Sequence, residues 1–508
     1  MEMKHVQNIV ERTDADALVI PFWKEGNQKQ AAFDMDKALD KTWHKQIASV
    51  LASGDFKGNE GEFVYLYVTN GLEKRLILLG LGEKDLITAE TLRRSFGALI
   101  QSCIAKQLNS LNIAIPQLEF IHQDILLNGI ADGVLLANYV FNVWKHNDTN
   151  EQSEIQTLKK PLERVTWVGI DDKMLEVIQQ AGIVAKGVYY ARDLVNGNAD
   201  EVTPQYLTQC AKEIAKKIPA IKTTVFDKNR IVKEKMGLLL AVSRGAAVDP
   251  AFIMMEYRGD PKSSHHTVIV GKGVTYDTGG LNLKPTGGIE TMKCDMAGAA
   301  ACYGIIMAVC QLGLKLNVTV VIPTTENSID ANSFKPGDVY ESYSGKSVEM
   351  TNSDAEGRLI LADALAYAIA KLKPTRLIDI ATLTGAIEIA LGSEASGLMS
   401  TDDALAGQLV EAGEKTYERL WRMPLYEEYK ERLKSDIADI KSWNGRSGSS
   451  NVAATFLRYF VKPSIPWAHI DIAGTAYVSE AKKYVPKYAT GMGVRLIVEF
   501  LKNDKNES

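Results

Sequence analysis

Short apolar segments rich in β-branched residues alternate with segments of helical periodicity in the second half of the chain. These apolar segments, which are typical of buried strands, lie at residues 223–226, 238–242, 267–270, 318–322 and 376–380. Helical segments fall between them, and strands joined in this way form parallel sheets with helices on both faces. The pattern therefore predicts an α/β fold with a mostly parallel central sheet.

The first 165 residues have an α/β pattern of their own. Predicted strands lie at 17–22, 63–68, 75–79 and 110–115, and predicted helices at 88–107 and 125–145. They are followed by a polar loop at 146–160, a strand at 164–170 and one long helix at 171–196. Because 508 residues exceed the size of one hydrophobic core, two or more domains are expected.

Charged residues cluster just beyond the predicted strands. One group follows the strand at 267–270 and comprises Lys272, Asp277, Lys284 and Asp295. A second group lies in a single run of eight residues and comprises Asp354, Glu356 and Arg358. Open α/β sheets bind ligands beyond the carboxyl ends of their strands, and carboxylates suit Zn²⁺, Mn²⁺ or Mg²⁺. Together the two groups predict a two-metal hydrolase site.

Seven segments carry a family resemblance. They lie at 270–280, 283–285, 292–296, 352–359, 381–386, 421–425 and 469–474. In order and spacing they resemble the leucyl aminopeptidase family (the cytosol aminopeptidases, peptidase family M17), over about residues 172–500. The resemblance implies an N-terminal α/β domain joined by a long helix to a C-terminal α/β catalytic domain. We therefore predict the first domain at 1–170, the linker helix at 171–193 and the catalytic domain at 194–508.

The resemblance also implies a set of metal ligands for two divalent ions per subunit, Mn²⁺ or Zn²⁺. Asp277 and Glu356 would bridge the two ions, and Asp354 would complete the first site. Lys272 and Asp295 would complete the second. A lysine can ligate only as the neutral amine, and two nearby dications lower its pKa enough to permit this.

A mechanism follows from the same resemblance. The two ions activate a water molecule, and one of them binds the free α-amine of the substrate, so that only N-termini are cleaved. Lys284 stabilises the oxyanion. Arg358 holds a bicarbonate ion that acts as general base; a guanidinium fork suits a planar anion of this kind.

The pocket for the first substrate residue is expected to include Met292, Thr382, Leu383 and Gly385. Such a pocket favours leucine or methionine, with a discrimination of about 1–3 kcal/mol per methylene. The predicted function is release of N-terminal amino acids, preferably leucine or other apolar residues, from peptides with a free N-terminus. The family further implies a homohexamer built as a dimer of trimers.

Composition excludes several other classes of protein. Hydrophobic residues make up 46% and charged residues 24% of a chain with net charge −5, which gives no general basic footprint for nucleic acid. The N-terminus has no signal-peptide core, and no stretch approaching ~18 apolar residues is expected, so we predict a cytoplasmic protein without membrane contact. Five cysteines without a Cys-x-x-Cys pair are expected to be buried, reduced thiols.

Three alternatives are weaker. A DNA-binding regulator would need a basic stripe on the N-terminal domain, where acids and bases are mixed. A non-catalytic scaffold is disfavoured because Lys284, Arg358 and all five ligands are intact. A two-metal phosphohydrolase usually has histidine ligands. Here the pair His265-His266 is expected at the surface and His469 in the core.

Overall fold

The computed structural model describes residues 1–26, 28–31, 41–68, 71–146 and 158–503. The chain divides into two compact units: Met1–Ala185 with Glu480–Pro486, and Lys186–Ser479 with Lys487–Ser508. The predicted loop at 146–160 lies mostly outside the described residues.

The first unit contains a seven-stranded sheet among its described residues. Its strands are β1 (Glu2–Val6), β2 (Ala17–Glu25), β3 (Gln28–Ala31), β4 (Phe63–Tyr67), β5 (Arg75–Glu83), β6 (Ser110–Ala114) and β7 (Arg164–Val168). The order is β1-β7-β6-β2-β5-β4, with β3 beside β2; β3 and β4 are antiparallel to their neighbours. All five predicted strands of this region are confirmed.

Helices α1 (Lys41–Ser53), α2 (Ala89–Ala105) and α3 (Gln123–Ala137) accompany this sheet. The predicted start of α2 is confirmed, since the Thr88 side chain accepts a hydrogen bond from the amide of Thr91. The prediction that the next helix continues to residue 145 was wrong. Asn138 caps α3, and its side chain exchanges two hydrogen bonds with the backbone of Leu162, which draws the chain out of the helix.

A C-terminal segment, Glu480–Pro486, belongs to this first unit. The Tyr484 hydroxyl donates to the Glu90 carboxylate of α2 at 2.9 Å. A Cβ at Gly97 would lie 2.7 Å from Tyr484, so the absence of a side chain at residue 97 permits this packing. Helix α4 (Asp172–Asn196) confirms the predicted long helix, and the division between the two units falls within it.

The second unit is built around a nine-stranded sheet in the described part of the chain. Its strands are β8 (Ile221–Phe226), β9 (Ala251–Arg258), β10 (Thr267–Gly271), β11 (Gly273–Asp277), β12 (Asn317–Asn327), β15 (Arg376–Ala381), β16 (Ser396–Ser400), β17 (Leu420–Arg422) and β19 (Trp467–Asp471). Shorter strands outside it are β13 (Val339–Glu341), β14 (Ser347–Glu349), β18 (Ile440–Lys441), β20 (Tyr477–Val478) and β21 (Tyr488–Ala489).

The helices of this unit are α5 (Pro204–Lys217), α6 (Lys228–Lys233), α7 (Gly237–Val242), α8 (Ala297–Gln311), α9 (Glu356–Tyr367), α10 (Gly385–Leu391), α11 (Asp403–Thr416), α12 (Ser449–Arg458) and α13 (Val494–Lys502). The neighbouring strands β12, β10, β15 and β19 are mutually parallel, whereas β8, β9 and β16 pair antiparallel. The predicted α/β class with a mostly parallel central sheet is therefore confirmed.

Residues 238–242 were predicted as a strand, and this prediction was wrong. They form helix α7, whose N-terminal amides are capped by a distant carboxylate. Asp363 Oδ2 accepts from the amides of Leu238 and Leu239 at 2.9 and 3.0 Å, and its Oδ1 accepts from the amide of Tyr343 at 2.7 Å. This carboxylate supplies acceptors for helix amides that have no partner within their own helix.

Two expectations about single side chains have opposite outcomes. His469 is fully buried, and its Nδ1 lies 2.5 Å from Asp379 Oδ1, which confirms the predicted core position. His266 was expected at the surface but is only 4% exposed. Its Nε2 contacts the Thr319 hydroxyl on β12 at 2.8 Å, and burial lowers its pKa.

The expectation that no stretch is apolar and long enough to span a membrane was also wrong. Residues Met292–Gln311 meet that test by length and composition, with a mean hydropathy of 1.4. However, 83% of the segment's apolar window is buried inside the fold. Such burial is typical of the core helix of a soluble protein.

The cysteines were expected to be buried, reduced thiols. All five are free, and all except Cys310 are buried.

Candidate functional site

The predicted site residues lie at the carboxyl ends of the parallel strands. Lys272 directly follows β10, Asp277 is the last residue of β11, and Thr382 directly follows β15. Because parallel strands end at the same edge of a sheet, these residues are brought close together. The Lys272 amine donates to the Thr382 carbonyl at 2.8 Å, which ties the ends of β10 and β15 to each other.

An acidic cluster forms where the sheet edge meets the start of α9. Carboxylate oxygens of Asp277, Asp354 and Glu356 all lie within 4.8 Å of one another. Asp354 lies in the turn before α9, where its amide donates to the Asn352 side chain at 2.8 Å. Asp277 and Glu356 are buried, whereas the Asp354 side chain is 34% exposed. The cluster therefore has one side open to solvent.

Two lysines enter this acidic cluster. The Lys272 amine lies 2.7 Å from Asp295 and 2.9 Å from Glu356. The Lys284 amine lies 2.8 Å from Asp277 and 2.5 Å from Asp354. The structure thus brings all five predicted ligands and Lys284 together, as two groups of ion pairs that meet in the acidic cluster of Asp277, Asp354 and Glu356.

A glycine at the start of α9 makes the approach of Lys272 possible. A Cβ at Gly357 would lie 2.4 Å from Cε of Lys272 and 2.7 Å from its Nζ. No real Cβ approaches another atom this closely, so a side chain at residue 357 would push the amine away from Glu356. The neighbouring Ser353 hydroxyl donates to the Gly279 carbonyl at 2.7 Å and so joins the turn before α9 to the loop after β11.

Burial disfavours charge on most of these carboxylates. It raises the pKa of Asp277, and it raises the pKa of Asp295 well above the usual range. Burial also raises the pKa of Asp354, to about 6. For Glu356 the effect of burial is outweighed by the nearby amines, Lys272 above all, so its pKa is lowered. Burial and repulsion between these carboxylates therefore oppose their ionisation, and cations beside them favour it.

The amines respond in the opposite sense. Burial alone would lower the pKa of Lys272, but the carboxylates of Asp295 and Glu356 outweigh it and the pKa is raised. The pKa of Lys284 is raised for the same reason, chiefly by Asp277. A divalent cation that took the place of these protons would reverse the effect on a coordinated amine.

The donor set fits divalent cations. Four carboxylates face two lysine amines, so acidic groups are in excess within the network. Oxygens less than 4.8 Å apart suit a single cation with metal–oxygen bonds of about 2.0–2.6 Å, as in the cluster of Asp277, Asp354 and Glu356. Lys272 and Asp295 adjoin that cluster through Glu356 and offer a second group of donors.

Arg358 is the third residue of α9, and its side chain is only 3% exposed. Its Nη1 donates to the Ser442 carbonyl at 2.9 Å, and its Nε makes no hydrogen bond among the described residues. Burial lowers the pKa of Arg358 to about 10, although Glu356 and Asp471 oppose this effect. The guanidinium remains a cation at neutral pH.

A cavity of ≈ 620 Å³ opens over the cluster. It is lined by all the predicted site residues, namely Lys272, Asp277, Lys284, Met292, Asp295, Asp354, Glu356, Arg358, Thr382, Leu383 and Gly385. The first-residue pocket predicted from Met292 and Leu383 therefore shares one space with the charged groups.

Two polar residues of this region were missed. Asn327, at the end of β12, donates to Asp277 and to the Ser353 carbonyl. Asp471, at the end of β19, accepts from the amide of Leu383 at 3.0 Å and from the Thr384 hydroxyl at 2.7 Å. The position of each at the carboxyl end of a strand is the signal that could have identified them.

Comparison with known proteins defines the class. Residues 189–498 match the sequence model of the cytosol aminopeptidase family, catalytic domain, and residues 19–148 match that of its N-terminal domain. The chain therefore belongs to the cytosol aminopeptidase family, peptidase family M17. It is an aminopeptidase of that family and thus a hydrolase.

Individual relatives agree over almost the whole chain. A probable cytosol aminopeptidase of Protochlamydia amoebophila is 60% identical over 502 residues, covering 99% of both chains. One of Chlamydia abortus is 44% identical over 96% of both. A tomato leucine aminopeptidase mutant has a TM-score of 0.86 at 31% identity, with 99% of this chain and 96% of that chain covered. The bottromycin maturation enzyme BotP in complex with Mn has a TM-score of 0.83 at 29% identity, with 96% and 99% covered.

Proposed function

We propose that this aminopeptidase removes N-terminal leucine and other apolar residues from peptides with a free amino terminus. It would use two divalent ions per subunit, Mn²⁺ or Zn²⁺. The observation that carries the proposal is the convergence of the four proposed carboxylate ligands with Lys272, Lys284 and Arg358 in a single cavity with an apolar side. The tomato leucine aminopeptidase and the Mn complex of BotP are consistent with this substrate and with this metal.

The ligands are proposed as follows. Asp277 and Glu356 would contribute to both cation sites, Asp354 would complete the first, and Lys272 and Asp295 would complete the second. When bound, the ions would activate water and polarise the scissile carbonyl. The geometry supports this division, because Glu356 contacts Lys272 through Oε1 while its other neighbours in the acidic cluster are Asp277 and Asp354.

Lys284 is proposed to stabilise the oxyanion that develops on the scissile carbonyl. Its side chain is 18% exposed, so the amine is accessible from the cavity, and its raised pKa keeps it cationic. The contacts with Asp277 and Asp354 hold the amine beside the proposed ligands. A fixed cation of this kind lowers the energy of a transition state in which negative charge appears.

Arg358 is proposed to hold a bicarbonate ion, which would supply the general base. The guanidinium is fixed on one side by the Ser442 carbonyl, which leaves donors of the fork for a planar anion. Neither of its neighbours on α9 can replace this role, because Gly357 has no side chain and Leu359 is buried in the core.

Recognition of the first substrate residue is proposed to fall to Met292, Thr382, Leu383 and Gly385. The loop that carries the last three is held by Asp471, which accepts from the Leu383 amide and the Thr384 hydroxyl. A fixed loop gives a pocket of definite size, so apolar side chains are discriminated by about 1–3 kcal/mol per methylene.

The larger organisation is also proposed. The two family matches at 19–148 and 189–498 support an N-terminal domain at 1–170, a linker helix at 171–193 and a catalytic domain at 194–508, within which the segment Glu480–Pro486 belongs to the first compact unit. We propose that the protein acts in the cytoplasm as a homohexamer arranged as a dimer of trimers. Size-exclusion chromatography with light scattering tests the assembly, and a dimeric mass would contradict it.

One experiment tests the function. Hydrolysis of leucine amide is measured with and without added Mn²⁺, beside N-acetyl-leucine amide as the matched control. Cleavage of the free amine only, and stimulation by Mn²⁺, are expected. Equal cleavage of the acetylated compound would reject the proposed contact between substrate amine and metal.

A further inference from the structure

Asn327 lies beneath the acidic cluster, at the end of β12, and is completely buried. Its Nδ2 donates to Asp277 Oδ1 at 2.7 Å and to the Ser353 carbonyl at 3.0 Å, and lies 3.4 Å from Glu356 Oε2. One amide group therefore contacts both carboxylates that are proposed to bridge the ions. It also contacts the backbone of the turn that carries Asp354.

The orientation of this amide is fixed by its surroundings. All three neighbours of Nδ2 are acceptors, so only the NH₂ group, and not the carbonyl oxygen, can face them. Asn327 Oδ1 is buried without a hydrogen-bond partner among the described residues. A buried unpaired carbonyl costs free energy. The arrangement therefore satisfies the NH₂ group of Asn327 at the expense of its carbonyl oxygen.

The two carboxylates need such a donor because they repel each other. Asp277 and Glu356 are both buried, and their carboxylate oxygens lie within 4.8 Å of each other. A neutral NH₂ group, whose two protons are shared among three acceptors, contacts one oxygen of each carboxylate without adding a charge that would compete with a cation. It leaves Asp277 Oδ2 and Glu356 Oε1 on the side of the two lysines.

We infer that Asn327 is a positioning residue that sets the relative orientation of Asp277 and Glu356, and thereby couples the two cation sites. This inference rests on the proposed function, in which these carboxylates bridge two ions. Loss of a group that orients metal ligands typically weakens metal affinity by about 10–100-fold. The effect should fall on both sites together, because both bridging ligands lose their common donor.

The test compares two substitutions of Asn327 with one of Asn317. Asn327→Ala removes the amide, and Asn327→Leu removes it while refilling the space. Asn317 is also buried and lies at the other end of β12, ten residues from Asn327. Its Nδ2 donates to three backbone carbonyls outside the acidic cluster. Asn317→Ala is therefore the control for loss of a buried asparagine whose Nδ2 donates to three acceptors; its Oδ1 also accepts from the Asp260 amide at 3.3 Å, so this variant loses at least as many contacts.

Each protein is freed of metal and titrated with Mn²⁺ by calorimetry, and the spin coupling of the bound pair is recorded by electron paramagnetic resonance at low temperature. Both Asn327 variants are expected to bind Mn²⁺ about 10–100-fold more weakly and to lose the coupled-pair signal. Asn317→Ala is expected to keep both, even where its unfolding temperature falls.

Wild-type affinity and coupling in Asn327→Leu would overturn the inference. So would an equal loss of metal in Asn317→Ala, because metal binding would then follow stability alone. The readout is independent of catalysis. A protein whose binding of a coupled Mn²⁺ pair depends on Asn327, but which leaves leucine amide intact, would retain this inference and reject the proposed function.

Discussion

Replacing Asp363 tests how a single buried carboxylate holds helix α7. The side chain is fully buried and accepts hydrogen bonds from three backbone amides, those of Leu238, Leu239 and Tyr343. Asp363→Ala leaves these three donors without a partner, and each buried unsatisfied amide costs about 1–3 kcal/mol. We therefore expect a loss of about 3–9 kcal/mol from the free energy of unfolding of the second unit.

The pH dependence gives a sharper measure. Burial raises the pKa of Asp363 to about 7, despite the three amides that favour its ionised form. A raised carboxyl pKa means that the folded state binds the proton more tightly than the unfolded state. The contribution of this group to stability is therefore greatest at acidic pH and falls as pH rises towards 7. One pKa unit corresponds to about 1.4 kcal/mol, and the group is half-ionised at pH 7, so about 2 kcal/mol is lost between pH 5 and pH 7.

Asp363→Asn provides the comparison, because its amide cannot titrate and its oxygen can still accept from α7. Unfolding in urea is measured for both proteins at several pH values, together with hydrogen exchange of the Leu238 and Leu239 amides. The wild-type advantage over Asp363→Asn should shrink by about 2 kcal/mol from pH 5 to pH 7. A difference that stays constant, or grows with pH, would refute the reasoning about burial.

Four further outcomes are expected. Exhaustive chelation should abolish hydrolysis and Mn²⁺ or Zn²⁺ should restore it; full activity in protein shown by elemental analysis to be metal-free would contradict the mechanism. Glu356→Ala should lower metal content and activity together. Lys284→Ala should lower kcat by about 10²–10³-fold with metals retained, and loss of metal in that variant would mean that Lys284 is itself a ligand. Finally, kcat/KM for a leucyl peptide should rise from pH 6 into the alkaline range. The reason is that the substrate amine, with a pKa of about 7.7–8.0, must be neutral to bind a metal. A maximum of kcat/KM near pH 5 would exclude that contact.

The sequence predicts the sheet well and one short helix badly, for a physical reason. Long apolar strands such as β12 are distinguished from helices by their β-branched residues and by the helices on either side. The five residues at 238–242 are apolar in either conformation, and periodicity over so short a stretch cannot distinguish a strand from a buried helix. The helical conformation is favoured by Asp363, which accepts hydrogen bonds from the first amides of α7 and lies more than 120 residues further along the chain.

The candidate site shows the same limit. Its charged residues are predictable because each follows a strand, and strand ends meet at one edge of the sheet. Asn327 escapes notice because a lone asparagine near a strand end is usually a turn residue. Its role depends on Asp277 and Glu356, which lie 50 and 29 positions away in the chain. Likewise, burial of His266 depends on Thr319 of a neighbouring strand.

The segment Glu480–Pro486 has a consequence for biosynthesis. The main part of the first unit, Met1–Ala185, is synthesised first, and almost 300 further residues are translated before this segment is made. At ~5–20 residues per second, the nascent unit waits roughly 15–60 s for the packing of Tyr484 on Gly97 and for its hydrogen bond to Glu90. Completion of the earliest-translated unit is thus coupled to near-completion of the polypeptide, and a chain truncated before residue 480 retains an unfinished N-terminal unit.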